Sequence, residues 1–130
     1  MLLLPAPAAA FDNSSISGSY AFQLNRFGTC PNLAAIVGLF TFDGAGNASG
    51  KFTNYSSNQE GAGPKVSTGT ATGTYTVNSD GTGKINFTSP DTVTFAFTID
   101  STATSAQRLE LILLSLHSFS CAESGYAIQQ

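Results

Sequence analysis

Histidine and cysteine, the residues most often used in catalysis and metal binding, are scarce in this chain. It has one histidine, His117, and two cysteines, Cys30 and Cys121. Zinc sites need three or four such ligands, and a hydrolase nucleophile stands on a sharp Gly-x-Ser-x-Gly turn, which the sequence lacks. The sequence therefore favours a non-catalytic protein, and we expect neither a metal nor a cofactor.

The carboxylates leave room for a polar site. Asp43 and Asp80 lie in glycine-rich stretches, where an aspartate usually accepts hydrogen bonds from the amides of its own turn. Calcium is the alternative, but it takes six to eight oxygen ligands and each turn offers one carboxylate. We expect Asp91, Asp100 and Glu123 to be solvated at strand ends.

The elements that would position these residues are β-strands. Apolar and polar residues alternate through most of the sequence, and no stretch has a convincing helical period. Turns rich in glycine, asparagine and aspartate separate the alternating stretches. The predicted strands are 18–25, 35–42, 50–55, 68–78, a strand around Ile85 and Phe87, 93–99, 109–116 and 125–130.

The two cysteines help to choose among the possible folds. About eight short strands with hairpin-length connections form either an antiparallel barrel or a β-sandwich. An even number of cysteines in a small chain favours a disulfide, and Cys30 and Cys121 flank the first and last predicted strands. If those strands pair antiparallel, the cysteines are neighbours and the barrel closes. We predict an all-β, single antiparallel up-and-down barrel over residues 16–130, with the sandwich as the alternative.

The interior of such a barrel is either filled by side chains or holds one small ligand. Arg26 continues the phase of the inward residues of the first strand, which places it at the barrel mouth. There it would orient an apolar ligand or cover the barrel end with its stem. The predicted ligand-binding residues are Arg26, Tyr20, Phe22, Phe42, Tyr75, Phe95 and Phe97; Leu24, Phe40, Phe52, Ile85 and Phe87 complete the predicted lining.

The seventh predicted strand, 109–116, is apolar on both faces. Leu109, Leu111 and Leu113 would face the interior, and Glu110 would point outward. An outer apolar face needs a cover. We expect the cover to be a second subunit or the N-terminal apolar arm, which makes a homo-oligomer the expected state. The predicted interface residues are Leu2, Leu3, Leu4, Ile112, Leu114 and Leu116.

Composition limits the partners and the compartment. Charged residues make up 10% of the chain and its formal net charge is −3, so nucleic acid is not an expected partner. No apolar run approaches the roughly 20 residues of a membrane-spanning helix. Residues 1–15 form an apolar arm or the remnant of a signal peptide. We therefore expect a secreted, periplasmic or cell-surface protein.

Turn and strand signatures over nearly the whole domain carry a resemblance. They are Gly18-x-Tyr20-x-Phe22, Phe42-Asp43-Gly44-x-Gly46-Asn47, the segment from Gly73 to Gly83, and Ser124-Gly125 with Gln130. With them the chain resembles small secreted bacterial proteins of uncharacterised function. That group is similar to the calycin and allene-oxide-cyclase-like barrels, which include lipocalins and dirigent-type proteins. The resemblance implies a barrel fold and carries over no functional residue.

Three functions are compatible with these features. The first is an exported, non-catalytic barrel that binds a small apolar molecule in its lumen. The second is a self-assembling structural subunit that uses strand 109–116 and the N-terminal arm. The third is a cyclase or isomerase that confines an apolar substrate beside Arg26 and Tyr20, an interpretation that rests on analogy of fold.

Overall fold

The chain forms one closed β-barrel. A computed structural model describes residues 10–28, 34–57, 63–101, 106–114 and 121–130. A single turn of 3-10 helix, Asn13–Ser15, precedes the barrel. The strands are β1 Gly18–Gly28, β2 Ala34–Phe42, β3 Asn47–Ser56, β4 Lys65–Val77, β5 Thr82–Ser89, β6 Val93–Asp100, β7 Arg108–Leu113 and β8 Cys121–Gln129.

Each strand pairs antiparallel with the next one along the chain, and β8 returns to pair with β1. The closing ladder runs from Tyr20 opposite Gln129 to Gly28 opposite Cys121. The predicted up-and-down barrel is therefore confirmed, and the sandwich is not the fold. Each of the eight described strands therefore has a neighbour on both sides, and none of them is an edge strand.

Several strands extend further than the alternation predicted. β1 continues through Arg26 to Gly28, and β8 begins at Cys121 instead of residue 125. The two extensions depend on each other, because the added residues of β1 pair with the added residues of β8. Backbone pairing includes Arg26 and Glu123 in the strands, although their charged side chains interrupt the apolar alternation.

The predicted interior is confirmed. The aromatic and aliphatic residues of the predicted lining are buried, except Phe52, which is half-buried against them. Phe40 lies at the centre of the aromatic cluster. Its ring stacks on Phe22 with centroids 4.0 Å apart, and it meets Phe42, Phe87 and Phe95 at 6.0, 5.8 and 5.5 Å.

Glycines on neighbouring strands make room for these rings. Gly38 lies between Phe22 and Phe52 in the ladder, Gly73 lies opposite Phe87, and Gly83 lies opposite Phe97. A Cβ on Gly73 would overlap the carbonyl oxygen of Asn86 and lie 2.6 Å from the Cα of Phe87. At such positions the strands approach too closely for any side chain.

The two ends of the barrel differ. At one, which we call the hairpin end, β2–β3, β4–β5 and β6–β7 are connected and residues 11–17 cross the opening. Ile16 is fully buried there, Phe11 packs against Gly81, and Asn13 Oδ1 accepts a hydrogen bond from the Val77 amide at 2.8 Å. At the other, which we call the cavity end, β1 and β3 finish and β8 begins.

The turns at the hairpin end use aspartates as predicted. Asp43 Oδ1 accepts hydrogen bonds from the amides of Ala45 and Asn47 at 2.8 and 3.0 Å, and Asp80 Oδ1 accepts one from the Thr82 amide at 3.0 Å. Hydrogen bonds from the Asn47 and Thr82 side chains, followed by those from the amides, hold the pKa of both carboxyls below its usual range. Each carboxylate therefore stabilises its own turn.

Adding one methyl group at a close-approach glycine should destabilise the barrel strongly. Gly73→Ala is expected to lower the free energy of unfolding by about 3 kcal/mol, because backbone must move to admit the Cβ. On the same strand, Gly69→Ala meets the ring of the half-buried Phe52, with nearest atoms at 2.9 and 3.0 Å, and that ring can shift. Its cost should be about 1 kcal/mol. Urea unfolding of both variants measures the difference, and equal costs would contradict the explanation.

Candidate functional site

An ion pair lies inside the barrel near the cavity end. Arg26 Nε and Nη2 donate hydrogen bonds of 2.9 and 2.7 Å to one oxygen of Glu123, Oε1. The Glu123 side chain is 3% exposed and that of Arg26 is 22% exposed. A carboxylate at this depth requires a compensating charge, which Arg26 provides.

The prediction that Glu123 is solvated at a strand end is wrong. Because β8 begins at Cys121, Glu123 is inside the strand, in the same inward phase as Ala127. It lies directly opposite Arg26 in the closing ladder. Arg26 is correctly placed at the end of the lumen, but as part of β1 and bound to a carboxylate.

A cavity of about 250 Å³ adjoins this ion pair. Its walls are mainly aromatic and aliphatic, with Ala71 and Gly50 facing each other across the β3–β4 ladder. The large apolar side chains that line it are Phe22, Phe40, Phe52, Phe87, Phe95, Ile36, Val93 and Leu113. The lumen is thus filled towards the hairpin end and hollow towards the cavity end.

Four polar residues line the same cavity: Arg26, Asn54, Asp91 and Glu123. In the part of the chain that the structure describes, two buried side-chain oxygens lack a hydrogen-bond partner, Glu123 Oε2 and Asn54 Oδ1. Asp91 is exposed, so it marks the mouth of the cavity. A buried acceptor without a donor costs about 1–3 kcal/mol. A hydrogen-bond donor placed beside these two oxygens would therefore be stabilised.

The structure divides the predicted ligand-binding residues into two groups. Arg26, Phe22 and Phe95 line the cavity. The others are buried in the filled part of the lumen: Tyr20, Phe42, Tyr75 and Phe97.

Tyr20 and Tyr75 join the barrel to the segments that cover the hairpin end. The Tyr20 hydroxyl donates a hydrogen bond to Gln107 Oε1, and the Tyr75 hydroxyl contacts the carbonyl oxygens of Asn13 and Ile16 at 2.8 and 3.1 Å. Phe42 packs edge-on against both tyrosine rings, at 5.3 and 5.0 Å. These contacts give both hydroxyls a structural role.

The outward side chains of β7 are apolar only at its end, because Arg108 and Glu110 precede Ile112 and the strand ends at Leu113. Ile112 and Leu114 are each 49% exposed, and Glu110 points outward, where it accepts a 2.7 Å hydrogen bond from Arg108 Nε. A groove of about 630 Å³ crosses the outside of the barrel and includes Ile112. The remaining predicted interface residues, Leu116 and Leu2 to Leu4, lie outside the described residues.

The predicted disulfide lies partly outside the described residues. Cys121 opens β8 opposite Gly28, and Cys30 follows Gly28 by two positions. The backbone register is compatible with the bridge, which stays a prediction. His117 also lies outside the described residues.

Metal and membrane signatures are absent from the described ranges. Residues 10–28, 34–57, 63–101, 106–114 and 121–130 contain no group of three or more His, Cys, Asp or Glu side chains that could hold a metal ion. None of their helical segments is long and apolar enough to span a bilayer.

Comparison of the chain with protein-family models, with curated proteins and with solved structures finds no match. The closed eight-stranded antiparallel barrel is the architecture that the resemblance to calycin-like barrels implies. Membership of the secreted bacterial group stays a prediction.

Sequence reasoning missed Glu123 and Asn54 as site residues. A signal for Glu123 was present, since continuing the predicted β1–β8 pairing by a few residues sets it opposite Arg26. Asn54 had a weaker one. It shares the inward phase of Phe52 on β3, where an asparagine interrupts an apolar series.

The buried phenol of Tyr20 should make the barrel sensitive to alkaline pH. Burial raises the pKa of Tyr20 to about 12. The unfolded chain loses this proton near pH 10, so the contribution to stability is complete below about pH 10 and declines between pH 10 and 12. Urea unfolding across this range should show a shallower decline for Tyr20→Phe than for the unaltered protein.

Tyr55→Phe provides the matched control, because Tyr55 is 41% exposed. It should keep the slope of the unaltered protein. Burial also raises the pKa of Tyr75. Tyr20→Phe should therefore retain part of the decline in stability with pH. Identical slopes for all three proteins would contradict the assignment to Tyr20.

Proposed function

We propose that this barrel is a non-catalytic binding protein that holds one small, largely apolar molecule in the cavity beside Arg26. The observation that carries the proposal is the cavity of about 250 Å³, walled by phenylalanines and touched by few polar groups. Ligand sites generally combine an apolar lining with a small number of polar groups that fix orientation. A closed barrel gives such a site a rigid wall on every side.

The size of the cavity limits the ligand. A protein cavity of about 150 Å³ accommodates benzene, so this one has room for about ten non-hydrogen atoms. Entry from the hairpin end is blocked by residues 11–17. The exposed Asp91 and the partly exposed Arg26 place the mouth at the other end.

Export to an oxidising compartment is part of the proposal. It is supported by the low fraction of charged residues, by the apolar N-terminal arm, and by the register that brings Cys121 near the end of β1. A mass difference between reduced, alkylated protein and unreduced, alkylated protein would detect the bridge between Cys30 and Cys121.

Filling the cavity should abolish binding without harming the fold. Ala71 is 8% exposed and lines the cavity, so Ala71→Leu would place its added atoms where the ligand lies. Octanol is a probe of suitable size. Calorimetric titration should show saturable binding of octanol to the unaltered protein and at least a tenfold loss of affinity in Ala71→Leu, about 1.4 kcal/mol.

Thr70→Leu is the control for this experiment. Thr70 neighbours Ala71 on β4 but is exposed on the outer face, so the variant should bind octanol as the unaltered protein does. Undiminished binding of octanol in Ala71→Leu would refute the proposal. A lack of saturable binding of both octanol and octylamine, which differ only in their head group, to the unaltered protein would also refute it.

Self-assembly is the second candidate, favoured by exposed apolar side chains at the end of β7 and just after it. Two large apolar side chains, Ile112 and Leu114, are about half exposed on neighbouring outward positions, next to the outer groove. Apolar surface of this kind marks interfaces when it is contiguous and buried by a partner. A symmetric dimer would bury the same strand on both subunits.

Polar substitutions on β7 should dissolve such an assembly. The double variant Ile112→Ser and Leu114→Ser is expected to sediment as a monomer, whereas the unaltered protein sediments as an oligomer. Val66→Ser removes an apolar side chain of β4 that is more exposed, at 64%, and should leave the oligomer intact. Deletion of residues 1–10 tests the N-terminal arm in the same way. A monomeric unaltered protein at micromolar concentration would rule out this candidate.

A further inference from the structure

The unpartnered polar atoms of the cavity share one chemical property. Both Glu123 Oε2 and Asn54 Oδ1 are hydrogen-bond acceptors, both are buried, and both belong to residues that line the cavity. Arg26 directs its Nε and Nη2 donors at the other Glu123 oxygen, Oε1. The ion pair therefore fixes the carboxylate and leaves one of its oxygens without a donor.

The charges around the cavity favour a cation. Arg26 and Glu123 compensate each other, and Asp91 adds one negative charge at the mouth. A carboxylate head group would meet like charge at Glu123 Oε2, and an ether or ketone would bring no donor. An ammonium group supplies both a positive charge and several donors, and hydrogen bonds between charged groups are the stronger ones.

The aromatic walls suit the rest of such a molecule. Phe22 and Phe40 are stacked on each other, Phe87 and Phe95 pack against Phe40, and all four rings line the cavity that Glu123 also lines. Ring faces bind alkyl or aryl groups and also attract an adjacent cation.

We propose that the ligand of the cavity is a small apolar amine, whose ammonium group donates hydrogen bonds to Glu123 Oε2 and Asn54 Oδ1. Arg26 acts as the positioning residue that holds the carboxylate. This inference rests on the proposed lumenal binding, and it names the chemical class of the ligand. The apolar body of the amine, of about eight carbon atoms, fills the space between the phenylalanine rings.

Three probes with the same eight-carbon chain test the head group: octylamine, octanol and octanoate. Calorimetric titration of the full chain at pH 7 should show octylamine binding at least about tenfold more tightly than octanol, and octanoate binding most weakly. Glu123→Gln keeps the shape of the side chain and removes its charge. It should lower octylamine affinity about tenfold while changing octanol affinity by less than about threefold.

Glu110→Gln is the matched control, because Glu110 forms the other arginine pair but on the outside of the barrel. It should leave the affinity for all three probes unchanged. Circular dichroism and urea unfolding establish that each variant is folded. If Glu123→Gln does not fold, the order of the three probes on the unaltered protein decides the question without it.

The possible outcomes distinguish failure of the amine proposal from failure of the proposed lumenal binding. If octanol and octylamine both fail to bind, the proposed lumenal function fails and the inference fails with it. If octanol binds but octylamine binds no better, or octanoate binds best, the amine is refuted while the lumenal function stands. An amine preference that survives in folded Glu123→Gln refutes the role of Glu123.

Discussion

Space inside the barrel is the constraint on which the remainder of the structure depends. Eight strands enclose an interior just wide enough for side chains to meet at its centre. This chain fills that interior with phenylalanine rings, and the rings fit because glycines such as Gly38, Gly73 and Gly83 lie beside them on neighbouring strands. The register of strand pairing therefore determines how the rings pack in the core. A shift of one strand by one residue would turn its inward rings outward and separate each of these glycines from the ring opposite it.

The distribution of this packing along the barrel axis creates the site. Towards the hairpin end the tyrosine hydroxyls, Ile16 and the crossing segment 11–17 leave no room for another molecule. Towards the other end two small residues, Gly50 and Ala71, occupy inward positions, and a cavity remains beside the phenylalanine rings. The only fully buried charge among the described residues, Glu123, lies at this boundary between packed and open lumen. Its ion pair with Arg26 costs desolvation energy that packing of apolar groups would avoid, so stability alone does not account for it.

Much of the fold could be predicted from the sequence because it depends on a local rule. Alternation with period two and turn residues at hairpin spacing identify strands such as Val93–Asp100, and they also identify the inward phenylalanines. Closure could be predicted from the two cysteines only as a hypothesis, which the ladder from Tyr20 to Gly28 then confirmed. These features are properties of neighbouring residues along the chain.

The site was less predictable, because it depends on which end of the lumen is covered. Nothing in the alternation distinguishes Tyr20 and Phe42, which lie in the filled part, from Phe22 and Phe95, which line the cavity. Glu123 was missed for a related reason. A polar residue next to an alternating stretch normally marks the end of a strand. Its burial follows from pairing with Arg26, a residue far away in sequence.

The closing ladder between β1 and β8 also determines at which end of the barrel an attached segment would lie. The amide of Gln130 donates to the carbonyl of Ser19 and the amide of Phe11 donates to that of Ser79, so both ends of the described chain leave from the hairpin end. A tether, a surface anchor or a second domain joined after Gln130 would therefore attach to the side opposite the mouth beside Asp91. The barrel would then stand with its opening directed away from its support, accessible to molecules arriving from solution.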